Sequence, residues 1–171
     1  MVKIRKAHLT RTAKYGILLG IAGGIAEIIW VASYGLFTGG NSAAVARGVS
    51  ATASTVLPAA SLEVAPVAYG IVIHMVLAVG LGVALVFAWR ALAERRQRPV
   101  NEYAFMAAAL AMVWAFNFFI LLPLIDPAFV ALMPYPASLL SKLLFGLAGA
   151  VMLRHMPMYR SASIPIHVRV P

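Results

Sequence analysis

Four long apolar segments restrict what this chain can fold into. They cover residues 15–37, 67–89, 103–124 and 137–153, and each approaches the roughly 20 residues that an α-helix needs to cross a bilayer. Hydrophobic residues make up 63% of the 171, and charged residues only 11%, against about 25% in a soluble domain. This composition excludes a soluble enzyme and a disordered chain. The sequence predicts one all-α membrane domain, residues 1–171, with four transmembrane helices.

The basic residues lie almost entirely on one side of these predicted helices. Twelve of the 14 Lys and Arg residues fall in the tail 1–14, the connection between the second and third segments, and the tail 154–171. The two other connections hold only Arg47. Because basic loops stay in the cytoplasm, we expect cytoplasmic termini in a multi-pass protein of a bacterial inner membrane. Topology accounts for the charges, so we expect lipids rather than nucleic acid as their partners.

Two connecting segments carry patterns of their own. In the first outer loop, Asn41 or Ser42 can cap a short helix that ends near Leu57 and has valines along one stripe. We expect this helix to lie at the membrane interface. The C-terminal residues 164–170 alternate apolar side chains at period two, which is typical of an extended strand. Since the chain offers that strand no second strand, the pattern favours a partner protein.

Small residues recur at four-residue spacing in the predicted spans. Helices in lipid approach closely through such residues, because no hydrophobic force drives them together. These stripes either pack the four helices against one another or dock one of them on another subunit. The predicted packing residues are Gly16, Gly20, Gly24, Gly80, Ala84, Gly146 and Ala150.

Each predicted span contains one conspicuous polar residue, namely Glu27, His74, Asn117 and Lys142. Ionisable groups are costly in lipid, so they usually face protein or water and often have a function. At about 1.5 Å per residue, all four lie in the outer half of the membrane or near its midplane, where they can converge. Three interpretations stay open: structural pairing with Lys142 extended to the interface, a proton relay between Glu27 and His74, and a Glu27–Lys142 ion pair that sets helix register.

The sequence contains no familiar catalytic or cofactor motif. It lacks cysteine, which excludes disulfides and thiolate metal sites, and it has no phosphate-binding loop or HExxH motif. His74 is the only histidine within a predicted span, so one chain lacks the histidine pair of a membrane haem site. We therefore expect no catalytic residues, no metal and no tightly held cofactor. A lipid or quinone bound between the spans remains open.

Residues 20–29, Gly-Ile-Ala-Gly-Gly-Ile-Ala-Glu-Ile-Ile, resemble the first helix of small multidrug resistance transporters. In that family a membrane glutamate exchanges protons for cationic drugs, and the resemblance implies such a role for Glu27. Lys142, however, would repel a cation. The overall layout, in which His74 is followed by Gly80 and Gly82, is similar to uncharacterised small four-helix bacterial inner-membrane proteins and implies no activity.

Three functions are compatible with these features. The first is a non-catalytic accessory subunit of a larger bacterial membrane complex, such as a respiratory or other energy-converting one, with other membrane subunits as partners. The surplus of small-residue stripes and the unpaired strand-like tail favour it. The second is a small proton-coupled transporter or channel that uses Glu27 and His74. The third is a lipid- or quinone-binding membrane protein.

Overall fold

The computed structural model describes residues 2–56, 66–95 and 100–155, and these residues are almost entirely helical. The predicted strand at 164–170 lies outside them. The helices are α1 (Val2–Thr38), α2 (Ser42–Val56), α3 (Pro66–Arg95), α4 (Glu102–Phe116), α5 (Leu122–Ile125), α6 (Pro127–Val130) and α7 (Tyr135–Arg154), with a π-helical segment (Asn117–Leu121) between α4 and α5.

Four of the helical stretches are long and apolar enough to cross a membrane, and they coincide with the four predicted spans. They are Leu9–Thr38, Pro66–Arg95, Glu102–Ile125 and Tyr135–Arg154. The last is longer than the predicted segment and reaches 20 residues. Pro136 is tolerated in its first turn because the backbone N–H groups there need no helical partner. The fold fits a multi-pass membrane protein.

The helix α1 is the central element of the bundle. It packs against α3 on one side and against α7 on the other, and α7 in turn packs against α4. The helices α3 and α4 follow each other in the chain but contact each other sparsely. They meet near their connected ends, where the rings of Trp89 and Phe105 have centroids 5.3 Å apart. We call this the basic end of the bundle, and the opposite end, with Thr38, Pro66 and Tyr135, the loop end.

Glycines bring α1 and α3 into backbone contact. A Cβ atom on Gly20 would lie 2.5 Å from the carbonyl oxygen of Ala78, and one on Gly82 would overlap the backbone of Gly16 and Gly20. No side chain fits at either position. One turn along α1, a Cβ atom on Gly24 would lie 2.9 Å from side-chain atoms of Ala78 and Met75 on α3. The α1 stripe of Gly16, Gly20 and Gly24 therefore packs within the chain.

The other predicted packing residues fall into two groups. On α7, Gly146 contacts Leu110 of α4, and Ala150 is completely buried. On α3, Gly80 and Ala84 face away from the bundle, and a Cβ atom on Gly80 would meet nothing within 4 Å in the described structure. Gly82 takes the packing role instead, because two positions along a helix turn a residue roughly 200° about the axis.

The short helix predicted in the first outer loop is present as α2. It packs mainly on α3, so closely that a Cβ atom on Gly70 would overlap the Ala46 carbonyl oxygen. Ser50 is its buried residue, not the predicted valine stripe, because close approach favours small side chains. Thr52 Oγ1 donates a 2.8 Å hydrogen bond to Asp126 Oδ2, which ties α2 to the turn before α6.

Candidate intramembrane ionisable site

Glu27 lies where α1 faces α3 and α7 together. Gly24 packs against α3, whereas a Cβ atom on Gly23 would overlap the Phe145 ring of α7. One turn later, Glu27 points between the two neighbouring helices. Only 2% of the residue is exposed. A carboxylate this deeply buried needs partners, because burying an unpaired charge is very costly.

The helix α7 supplies the first partners of the Glu27 carboxylate. Lys142 Nζ lies 2.7 Å from Glu27 Oε1, the length of a charge-assisted hydrogen bond. Ser141 Oγ also donates to Oε1, at 3.5 Å. One oxygen of the carboxylate is thus held by an ammonium and a hydroxyl from adjacent residues of α7.

The helix α3 presents His74 to the second oxygen. The distance from His74 Nε2 to Glu27 Oε2 is 3.6 Å, beyond the roughly 3.2 Å limit of a direct N–H···O hydrogen bond. Both atoms are buried, and neither has a hydrogen-bond partner among the residues that the structure describes. His74 Nε2 and Glu27 Oε2 are therefore two buried atoms that would form a hydrogen bond if they moved slightly closer together.

The site lies within the membrane-spanning part of the bundle. Counted at about 1.5 Å per residue from the loop end, Glu27 is roughly 16 Å deep, His74 roughly 12 Å and Lys142 roughly 10 Å. All three residues thus lie in the apolar part of their helices, nearer to the loop end than to the basic end.

Access to the site is uneven. The Glu27 side chain is 3% exposed, whereas His74 and Lys142 keep 26% and 20% of their side-chain surface accessible. His74 lies on the same face of α3 as Leu81 and Leu85, which pack into the core at the basic end. Since α3 and α4 contact each other sparsely, this face is less covered at the level of His74. Glu27 is thus the enclosed member of the group, and His74 and Lys142 are its partly exposed members.

Asn117 does not join the other three polar residues. It opens the π-helical segment, in which its carbonyl oxygen accepts the N–H of Leu122. A π-turn at this place accommodates Pro123, which has no N–H to donate. Across residues 2–56, 66–95 and 100–155, no hydrogen bond or ion pair links Asn117 to Glu27, His74 or Lys142. Its helix packs against α7 rather than against α1.

Two buried polar residues, one at the site and one elsewhere on α3, were missed in the sequence. Ser141 precedes Lys142 and lies one turn after Ala137, whose carbonyl oxygen accepts a 2.9 Å hydrogen bond from Trp30 of α1. That spacing places Ser141 on the face of α7 toward α1, and this helical spacing is the signal by which Ser141 could have been identified in the sequence. Tyr69 buries its hydroxyl in α3 without a hydrogen-bond partner in the described part of the chain.

The described residues contain no group of three or more His, Cys, Asp or Glu side chains that could hold a metal ion. The fold and the site together define an all-helical bundle with four candidate transmembrane helices and an ionisable centre between α1, α3 and α7. Comparisons with models of known families, with curated proteins and with solved structures found no match in any of the three. The function is therefore argued from the site itself.

Proposed function

We propose that this chain is a small proton-coupled transporter or channel whose proton-binding residues are Glu27 and His74. One observation carries the proposal. Among the described residues, the buried Oε2 atom of Glu27 has no hydrogen-bond partner, and it faces the Nε2 atom of His74, which also has none, at 3.6 Å. Ionisable groups inside membranes are typical of proton and ion pathways. A purely structural ion pair would need only Lys142 and would leave His74 without a role.

In this proposal, His74 is the entry point and Glu27 the buried acceptor. Neutral imidazole carries a proton on one ring nitrogen and a lone pair on the other, so it can take up a proton on one side and release it on the other. An approach of about 0.5–0.8 Å would bring His74 Nε2 and Glu27 Oε2 within hydrogen-bond distance. The greater exposure of His74 supports this order of transfer.

The ion pair between Glu27 and Lys142 couples proton binding to helix position. It joins α1 to α7, and protonation of Glu27 removes its negative charge and leaves at most a weaker hydrogen bond to Lys142. The packing of Gly23 on Phe145 and the hydrogen bond from Trp30 to Ala137 remain. Protonation would thus weaken the contact between α1 and α7 at one point only. The bundle would then have two states, with and without the ion pair, as gating requires.

The distribution of charge supports an orientation for the protein. Residues Arg11, Lys14, Arg90 and Arg154 belong to the basic end of the bundle, whereas the two loop-end connections contain one basic residue in the sequence, Arg47. The proposal places the basic end and both termini in the cytoplasm of a bacterial cell, with the protein in the inner membrane. The ionisable site then lies nearer to the outer face.

Flux measurements in liposomes test the proposed function. Liposomes that contain a pH-sensitive dye are exposed to an external pH step. Tetramethylammonium and lactate are present, and potassium with valinomycin dissipates the electrical potential. We expect the wild-type protein to change the internal pH faster than empty liposomes, and Glu27→Gln to fall to the empty-liposome rate because an amide binds no proton. Circular dichroism and gel filtration establish that the variant is folded.

Glu27→Asp is the matched control, because it keeps the carboxylate and should retain part of the flux. The proposal predicts that His74→Gln is slow but not inactive, since Glu27 itself is still present. Wild-type liposomes as tight as empty ones at every pH, with tetramethylammonium and lactate present, would show that the chain does not move protons.

A second candidate function is carried by the outer α3 face, which we define as Gly80, Ala84 and Ala88. All three are exposed, and nothing that the structure describes packs on Gly80. Small-residue stripes allow close docking between membrane helices. This face therefore supports the alternative that the chain is a non-catalytic accessory subunit that docks on another membrane protein in a larger complex.

Mild-detergent extraction from the native membrane distinguishes this second function. If the chain is a subunit, we expect a stoichiometric assembly far heavier than 18.2 kDa on a native gel, and its loss in Gly80→Leu. Ile29→Phe, which adds bulk at a 60% exposed position on α1, should leave the assembly intact. A lone chain or small homo-oligomer would contradict the subunit role, and mass spectrometry of the extract would also reveal a bound lipid or quinone.

A further inference from the structure

We infer that the substrate moved with the proton is a small monocarboxylate anion that binds Lys142 and Ser141 in place of the Glu27 carboxylate. This inference rests on the proposed transport function and names its substrate class. The starting observation is that the site already binds a carboxylate. Lys142 Nζ and Ser141 Oγ, at 2.7 Å and 3.5 Å, both point at one oxygen of Glu27.

The charges of the site select an anion. With Glu27 ionised, Lys142 protonated and His74 neutral, the three groups sum to zero charge. Adding one proton to Glu27 leaves the site with one positive charge from Lys142, which is costly to bury alone. A monovalent anion on Lys142 restores neutrality. A cation would instead add positive charge to a site whose only carboxylate is already paired.

The same arithmetic explains how proton and anion would be coupled. The neutral states are the empty site with ionised Glu27 and the loaded site with one proton and one anion. The two intermediate states carry a buried net charge and are disfavoured. Proton and anion would therefore bind together, one of each, without covalent chemistry.

No other described charged group disturbs this count. The groups that face Glu27 are His74 from α3 and the Lys142–Ser141 pair from α7, the two helices packed on this part of α1. The helix α2 packs on α3, and its one charged residue, Arg47, is exposed. Among the described residues of α4, the only charged one is Glu102, at the basic end.

The surroundings of the site suit a short apolar tail. Met75 of α3 and Phe145 of α7 lie against Gly24 and Gly23, in the turn of α1 that precedes Glu27. Lys142 keeps 20% of its side-chain surface exposed, so this residue is less enclosed than Glu27. A monocarboxylate with a few carbon atoms matches one charged partner and these apolar neighbours.

Proton uptake on ligand binding tests this inference directly. Purified protein in weakly buffered detergent receives sodium acetate, lactate or benzoate, or tetramethylammonium chloride, each at matched pH and ionic strength. We expect at least one carboxylate to draw protons from solution, approaching one proton per chain, and tetramethylammonium to draw none. Calorimetry measures the binding of the same salts.

Variants separate the proton from the anion. Glu27→Gln should lose the proton uptake but still bind the carboxylate, because Lys142 remains charged. The double variant Glu27→Gln/Lys142→Met should lose both while burying no unpaired charge, and Lys142→Arg should retain binding.

Carboxylate binding that survives in the double variant, proton release on adding tetramethylammonium, or no response to any of the three carboxylates would overturn the inference. If Glu27-dependent proton flux in liposomes persists in those cases, only the substrate class is wrong; if that flux is also absent, the proposed function falls with it.

Discussion

Replacing Lys142 by methionine is expected to lower the free energy of unfolding by about 3–5 kcal/mol at neutral pH. The loss arises because Glu27 is 2% exposed and its buried carboxyl group would have no cation at Oε1. Ser141, at 3.5 Å, is too weak a donor to replace the ammonium. Reversible unfolding in mixed detergent micelles, followed by circular dichroism, measures the change.

The double variant Glu27→Gln/Lys142→Met is expected to recover most of that loss. Removing both charges eliminates the unpaired carboxylate, and replacing a buried ion pair by neutral side chains is often close to neutral in stability. This recovery follows from the ion pair rather than from the packing of the lysine stem.

Lys14→Met provides the control for these measurements, since Lys14 is exposed on α1 and its removal should change stability by less than about 0.5 kcal/mol. If Lys142→Met were no more destabilising than Lys14→Met, Lys142 would have to extend to the membrane interface instead of pairing with Glu27. The double-mutant cycle would then show no coupling between positions 27 and 142.

Gly82→Ala is expected to destabilise the protein by about 1–3 kcal/mol, whereas Gly80→Ala should be neutral or slightly stabilising. A Cβ atom on Gly82 would overlap backbone atoms of Gly16 and Gly20, and backbone cannot rotate aside as a side chain can. At Gly80 the same atom meets nothing within 4 Å among the described residues. The two positions lie in one helix, two residues apart, so helix propensity affects both equally.

The same unfolding assay compares the two glycine variants. Equal loss of stability in both would mean that α1 and α3 do not pack through Gly82. Because α3 also carries His74, moving α3 away from α1 should lengthen the distance to Glu27 as well. Gly82→Ala is therefore expected to slow proton flux in liposomes, and Gly80→Ala to leave it unchanged unless that face docks on a partner.

Much of the fold was predictable from the sequence because lipid imposes a simple requirement. Each span must satisfy its backbone hydrogen bonds internally over about 20 residues, so four apolar segments give four helices. The helix α2 was also predictable, from a capping residue and a run free of proline. The polar residues inside the spans were visible for the same reason, since ionisable side chains are rare in lipid.

Which polar residues meet depended on the packing of the helices. Depth from the loop end is similar for Glu27, His74, Asn117 and Lys142, so a count along the sequence could not separate them. Asn117 lies away from the other three residues because its helix packs on α7 rather than on α1. Lys142 points toward Glu27 because Ser141 and its neighbours pack α7 against α1. The pairing partner of a buried charge is thus a property of the bundle.

The glycines show the same division. Four-residue spacing identified faces that can approach another helix, and α1 uses its stripe of Gly16, Gly20 and Gly24 in that way. On α3, the spacing pointed to Gly80 and Ala84, yet the contact is made by Gly82. Spacing defines a stripe but not the direction in which it points. In lipid both faces of α3 are apolar, so hydrophobicity cannot distinguish them, and only the steric fit of one helix backbone against the other decides which face is buried.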